Sequence, residues 1–177
     1  MLEKQIYIIT GGPGFGKTEL IEALRTEGFM CSGEFARELI LSQTESSGDI
    51  LPWKNGRLFQ QTILSKRKAF FESVPPDAIA FADRAIPDQL AFARYRGFGT
   101  PDVLLDAAHE YRYAATVFVT PPWPEIYKND RIRTESLAEA IQIHEFVIET
   151  YRDLNYRINE LPLVPTAERV KYLLKNL

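Results

Sequence analysis

Among 177 residues there is one cysteine, Cys31, so no internal disulfide can form and no disulfide framework holds the fold. A lone thiol fits a reducing compartment, and the cytoplasm is the expected location. Histidine is nearly as scarce. His109 and His144 have no cluster of Cys or His near them, which argues against a zinc site, and both read as surface histidines. Positive charge is not in excess: 21 Lys plus Arg stand against 24 Asp plus Glu, a formal charge of -3. No broad field exists to hold nucleic acid or an anionic membrane, and any basic site must be local. No apolar run approaches the roughly 18 residues of a membrane span. The segment Met1-Leu2-Glu3-Lys4-Gln5 lacks the basic leader and cleavage site of a secretory signal.

With 45% hydrophobic and 25% charged residues, the composition is that of a globular protein. At this length about 70% of the unfolded surface can be buried without a metal or disulfide staple. Repeats, low-complexity tracts and Gly/Ser-rich linkers are missing, so one domain over residues 1–177 is expected. Strand-like and helix-like segments alternate, which predicts a parallel α/β sheet. Strands are expected at Gln5–Thr10, Phe29–Ser32, Ala78–Ala82, Thr116–Thr120 and Tyr156–Leu161, the last at an edge because it carries more polar residues. Continuous runs such as Ile6-Tyr7-Ile8-Ile9 fit strands covered on both faces. Helices are expected at Lys17–Thr26, Phe35–Leu41, Arg57–Phe71, Pro87–Tyr95, Pro101–Tyr113, Leu137–Asp153 and Ala167–Lys175. Ser136 with Glu139 has capping-box spacing, and Thr100 and Thr166 each place a hydroxyl before a helix. Glu45 to Gly56 reads as a loop.

The strongest motif is Gly11-Gly12-Pro13-Gly14-Phe15-Gly16-Lys17-Thr18, which fits G-x-x-x-x-G-K-[ST] between a strand and a helix. Glycines let backbone N–H groups approach a polyphosphate, and the helix N-terminus adds partial positive charge. Lys17 at this spacing reaches the β- and γ-phosphates, and the Thr18 hydroxyl helps to coordinate Mg²⁺. The competing reading is a glycine-rich turn with Lys17 in solvent. Phe15 is either packing, the favoured reading, or a wall on the acceptor side.

A second anchor ends the run Ala78-Ile79-Ala80-Phe81-Ala82-Asp83. A carboxylate there supports the Mg²⁺ shell in phosphate-loop proteins, although an Asp after a strand is also a common helix cap. Motor-type ATPases place a water-activating Glu next, where this chain has Arg84, which argues against a motor. Lys128-Asn129-Asp130 does not match the N/T-K-x-D element of guanine-specific GTPases. Arg84 suits the holding of an acceptor phosphate, or an ion pair. After the second strand, Glu34 and Arg37 stand three residues apart: Glu34 can accept a proton from an acceptor hydroxyl and Arg37 can bind its anionic part, or the two form a surface pair. Arg131 and Arg133 follow Pro121-Pro122-Trp123-Pro124 and fit a lid around residues 123–135 that closes on the transferring phosphoryl, or a solvated loop.

These segments, with Asp83-Arg84-Ala85-Ile86-Pro87-Asp88 and Pro165-Thr166-Ala167-Glu168-Arg169-Val170, resemble a bacterial family of small AAA-type ATPases over nearly the whole chain. That family is similar to nucleoside and nucleotide kinases and to the ribosylnicotinamide-kinase domain of a bacterial NAD regulator. The resemblance implies a P-loop NTPase fold, a three-layer sandwich with a five-stranded parallel sheet of order 2-3-1-4-5. It implies that Asp83-Arg84 corresponds to the Asp/Glu-Arg element of kinases, with Asp88 on the substrate side. By the same resemblance Glu34 is the acceptor-side carboxylate, Arg131 and Arg133 are lid arginines, and Pro165-Thr166 lies near the nucleotide base. The expected activity is a Mg²⁺- and ATP-dependent phosphotransfer to a small-molecule acceptor carrying a hydroxyl or a phosphate. The alternatives are a nucleotide-dependent regulatory protein and a simple ATPase. No nucleic-acid or membrane partner is expected.

Overall fold

The computed structural model describes residues 4–128 and 135–177 of the chain. Its centre is the apolar run predicted to be a strand, β1 (Ile6–Gly11), flanked by β3 (Ala80–Asp83) and β4 (Thr116–Thr120). Short β2 (Met30–Cys31) and β5 (Arg157–Glu160) form the edges, giving a five-stranded sheet of order β2-β3-β1-β4-β5. All of its pairings are parallel. The chain leaves β1 toward β2 and β3, then leaves β3 toward β4, so a crevice opens at the carboxyl end of β1.

Alternation along the strands sorts side chains onto two buried faces. Ile6, Ile8, Ala80, Ala82, Val117 and Val119 join one core, while Ile9, Phe81 and Phe118 join the other. The first core is covered by α4 (Ile86–Tyr95), α5 (Asp102–Glu110) and α6 (Leu137–Asp153). The second is covered by α1 (Lys17–Thr26) and α7 (Thr166–Lys175), through Leu20, Leu24, Val170 and Leu173. Each such side chain contributes about 1.5–3 kcal/mol by leaving water. A third, smaller core of Leu39, Phe59 and Ile63 joins α2 (Phe35–Glu45) to α3 (Gly56–Ser73). Among the described residues no helix is long and apolar enough to cross a membrane.

Several boundaries differ from expectation. The helix α2 continues past Leu41 because Ser42 and Thr44 turn their hydroxyls back onto the carbonyls of Leu39 and Ile40 and so do not break it. Ser136 and Glu139 form the predicted capping box of α6, but Thr100 and Thr166 cap nothing. The Thr100 hydroxyl accepts from Arg94 Nε at 3.3 Å, and Thr166 is already inside α7, accepting from Arg169 Nη2 at 3.1 Å. The expected lid falls partly on residues 129–134, outside the described residues; before them Pro124–Ile126 forms one turn of 3-10 helix.

The layers are tied together by Asp88 on α4, which is fully buried. Its carboxylate accepts from Thr10 on β1, Tyr151 on α6, the Ala85 N–H at 2.7 Å and Arg84 Nη1 at 3.1 Å. Burial alone raises a carboxyl pKa, but Arg84, Arg67 and the two hydroxyl donors more than offset it and hold Asp88 below the usual range. Asp88→Asn leaves buried guanidinium charge without its counter-ion. The expected loss is about 3–5 kcal/mol of folding stability, seen as a lower urea midpoint at an unchanged slope.

Candidate active site

Between β1 and α1 the phosphate-loop motif turns on left-handed backbone. Gly16, at φ 77°, is the residue before α1, and no side chain caps that helix. The first-turn N–H groups are therefore available to a ligand anion. Gly12 is required by close approach: a Cβ there would lie 2.4 Å from the Phe15 ring and 2.5 Å from the Ala140 carbonyl oxygen. Lys17 curls back over the loop, its Nζ donating to the Gly12 carbonyl at 2.6 Å and reaching the Gly11 carbonyl at 3.4 Å. It is buried, and poised where a phosphate would take over its donors.

Phe15 is fully buried, with the rings of Tyr127 and His144 each 6.1 Å away, so it anchors the loop onto α6 by packing. His144 is not the surface histidine expected. It is buried, and its Nδ1 accepts from the Gly12 N–H at 3.4 Å. Burial, then the charges of Lys17 and Arg84, push its pKa down to about 4, which keeps the imidazole neutral.

At the end of β3, Asp83 has its N–H bonded to Ser32 Oγ at 2.8 Å, and its Oδ1 is buried with no partner. Burial and the neighbouring Glu34 push its carboxyl up to about 6, against the pull of Lys17 and Arg84. An orphaned carboxylate oxygen that burial and like charge have made uncomfortable suits a divalent cation, so the donor chemistry fits Mg²⁺. Arg84 next to it adopts φ 60°, a strained value for a residue with a side chain. Its guanidinium is held by Asp88 and lies 5.2 Å from the Phe92 ring centroid.

Two cavities meet here. One, about 270 Å³, is lined by Gly14 to Thr18, Glu34, Trp123, Pro165, Thr166 and Arg169. The other, about 160 Å³, is lined by Pro13, Glu34, Arg37, Asp83, Arg84, Arg67, Gln89 and Phe92, among others. Thus the structure brings together the loop, Glu34, Arg37, Asp83, Arg84 and the Pro165-Thr166 turn. Asp88 is a correction: it is fully buried with its oxygens occupied and lines neither cavity, so its place is to hold Arg84 at the wall of the second. Arg131 and Arg133 lie outside the described residues.

Arg169, in the Pro165-to-Val170 segment, has no sequence pattern that marks it as a site residue. It reaches the Gly16 carbonyl at 3.3 Å and stacks 5.2 Å from the Trp123 ring centroid, bracing the loop at the wall of the first cavity.

By sequence, residues 6–169 match the AAA domain family. The chain belongs to that family. No curated protein matches it. Among solved structures, this AAA domain is similar to thymidylate kinase from Ehrlichia chaffeensis, with a TM-score of 0.62 at 11% identity over 98% of both chains. It is also similar to the NadR protein in complex with NR, at a TM-score of 0.67 and 16% identity over 98% of this chain. A second NadR structure, with NAD and AMP-PNP, gives 0.63 and 17%. The chain spans about half the length of the NadR chains, 50% and 49%. At such identities the likeness establishes the fold, a P-loop α/β sandwich of nucleotide-kinase type.

The His144 environment generates a pH prediction for this AAA domain. A histidine with a folded pKa of about 4 and an unfolded one near 6.5 contributes stability above pH 6.5 that is lost as the pH falls toward 4. Urea unfolding of wild type against His144→Gln should show an extra loss in wild type on the order of 2 kcal/mol between those limits. An NMR titration should give an imidazole midpoint near 4 for His144; a midpoint near the ordinary value would contradict the buried, neutral assignment.

Proposed function

We propose that the protein is a Mg²⁺-dependent phosphotransferase that moves the γ-phosphoryl of ATP to a small-molecule acceptor. The observation that carries this reading is the position of Glu34, which lines both cavities. A hydrolase or a nucleotide-gated regulator needs only the phosphate-loop cavity. A transferase needs a second one, opening beside the first at the point where the phosphoryl crosses.

In this reading the first cavity takes ATP. The loop N–H groups and Lys17 hold the β- and γ-phosphates, while the Pro165-Thr166 turn lies toward the base. Thr18 and Asp83 would hold Mg²⁺, which supplies charge neutralisation on the phosphate oxygens. The second cavity takes the acceptor, with Arg37 and Arg84 beside its reacting end. The acceptor oxygen bonds to the γ-phosphorus as the bond from phosphorus to the bridging oxygen breaks and ADP departs; where that oxygen is a hydroxyl, Glu34 accepts its proton. Arg131 and Arg133, in a lid around 123–135, supply charge over the transferring group and exclude water. Arg84 standing in place of a water-activating Glu agrees with transfer and not hydrolysis.

The test is ADP formation from Mg·ATP against a panel of nucleosides, nucleotides and small hydroxyl metabolites, with Lys17→Ala as background. One acceptor should stimulate turnover and appear as a phosphorylated product. Glu34→Gln should then lower kcat by about 10²–10⁴-fold with the melting temperature kept, and Arg131→Ala should lower it too. Flat rates across the panel despite tight nucleotide binding would replace this reading with the regulatory one.

A further inference from the structure

Arg67, on α3, lines the second cavity and is only 6% exposed. Its Nε and Nη1 are buried without a hydrogen-bond partner, and among the described residues no carboxylate lies within ion-pair distance. The carboxylate whose field acts on it is Asp88, but Asp88 already receives Arg84, Thr10, Tyr151 and the Ala85 N–H. With the oxygens of Asp88 already taken by these donors, the Arg67 guanidinium is left without a hydrogen-bonded counter-ion among the described residues. A buried, unpaired cation is among the costliest features a fold can carry, and a guanidinium stays charged where a lysine would shed its proton.

Beside it, Gln89 is 5% exposed. Its Nε2 donates to the Gln60 carbonyl at 3.0 Å and to Gln60 Oε1 at 2.8 Å. The carbonyl can only accept, which fixes the amide orientation and leaves Gln89 Oε1 buried and unpaired. Phe35, Ile63 and Phe92 supply apolar wall. Past Gln60, Gln89, Phe92 and Arg96 the cavity adjoins another of about 530 Å³, walled by Leu64 and Leu104.

We propose that the second cavity binds an oxyanion: the acceptor carries a phosphate monoester or a carboxylate that seats on Arg67, with Arg84 as a second arm. A donor N–H or O–H on the acceptor meets Gln89 Oε1, and a ring lies along the apolar wall. A nucleoside monophosphate is the class that joins these features. The inference rests on the reading of this cavity as the acceptor site, and it adds that a neutral acceptor leaves Arg67 uncompensated.

Calorimetric titration of the full chain, saturated with AMP-PNP and Mg²⁺, tests it without requiring turnover. The probes are the common nucleosides against their 5′-monophosphates, with orotidine against uridine as the carboxylate arm. At least one charged probe should bind about tenfold or more tightly than its neutral partner, and the arm that does so separates phosphate from carboxylate. Arg67→Met should remove that advantage while leaving AMP-PNP affinity within about twofold, and should raise the melting temperature of the ligand-free protein by relieving the buried charge. The proposal is overturned if no charged probe outbinds its neutral partner, including the case in which none binds, or if the advantage survives Arg67→Met. Should that variant lose AMP-PNP binding, the wild-type comparison alone decides. Charged-probe binding without any phosphoryl transfer would sink the kinase reading and keep the oxyanion site. Transfer to neutral nucleosides with no charge preference would do the reverse.

Discussion

The loop between β1 and α1 must offer bare backbone to a polyphosphate and still hold one shape when nothing is bound. Bare backbone is floppy, and glycines such as Gly12 and Gly16 remove the side chains that would otherwise fix it. The fold therefore braces the loop from outside. Phe15 pins it to His144 on α6, Arg169 reaches from α7 to the Gly16 carbonyl, and the Tyr127 ring lies over Gly14, where a Cβ would come within 2.6 Å of it. Lys17 closes the loop from inside through the Gly12 carbonyl. Three separate parts of the chain thus converge on one short turn, which explains why a bulky Phe15 is accommodated among glycines: it is the loop's anchor, and no substrate contact is needed to account for it.

Charge is distributed by the same logic. Asp88 is buried beneath the second cavity so that Arg84 can be held at its wall, in a backbone conformation that costs on the order of 1–3 kcal/mol. Burial and the neighbouring Glu34 raise the electrostatic energy of an ionised Asp83 at the carboxyl end of β3, with Lys17 and Arg84 as partial compensation. A cation placed between such groups gains what the ligand-free protein gives up. The resting site is strained in the direction that binding relieves.

What was legible in the sequence was local. The motif at Gly11 to Thr18, the apolar strands and the capping box at Ser136 depend on neighbours within a few residues, and each stands close to where the pattern placed it. Asp83, Glu34 and Arg37 line one cavity, as expected where the strand ends of a parallel sheet share one crevice. The rest depends on contacts that spacing does not encode. His144 lies 132 residues from its partner Gly12, so its helix pattern gave no sign that it faces the loop. Arg67 and Gln89 sit on amphipathic helices where polar residues normally mark the solvent side, and only the packing of α3 against α4 turns them inward. The resemblance puts Asp88 on the substrate side, whereas burial and four donors make it the support of Arg84.

Buried polar side chains that lack a partner are few in folded proteins, and each calls for a cause. Among the described residues the atoms in that condition belong to Arg67, Asp83, Gln89 and Arg169. The first three line the second cavity and the fourth lines the first. Defects of packing would scatter through the core; these gather around two adjoining spaces that share Glu34. The unsatisfied groups also differ in kind between the spaces, a carboxylate, a guanidinium and an amide oxygen in one against a single guanidinium nitrogen in the other. A site that only held a nucleotide would have no use for the larger set. Its presence beside the phosphate loop is a standing energetic cost of the ligand-free fold, and in the proposed reading a second, polar ligand removes it.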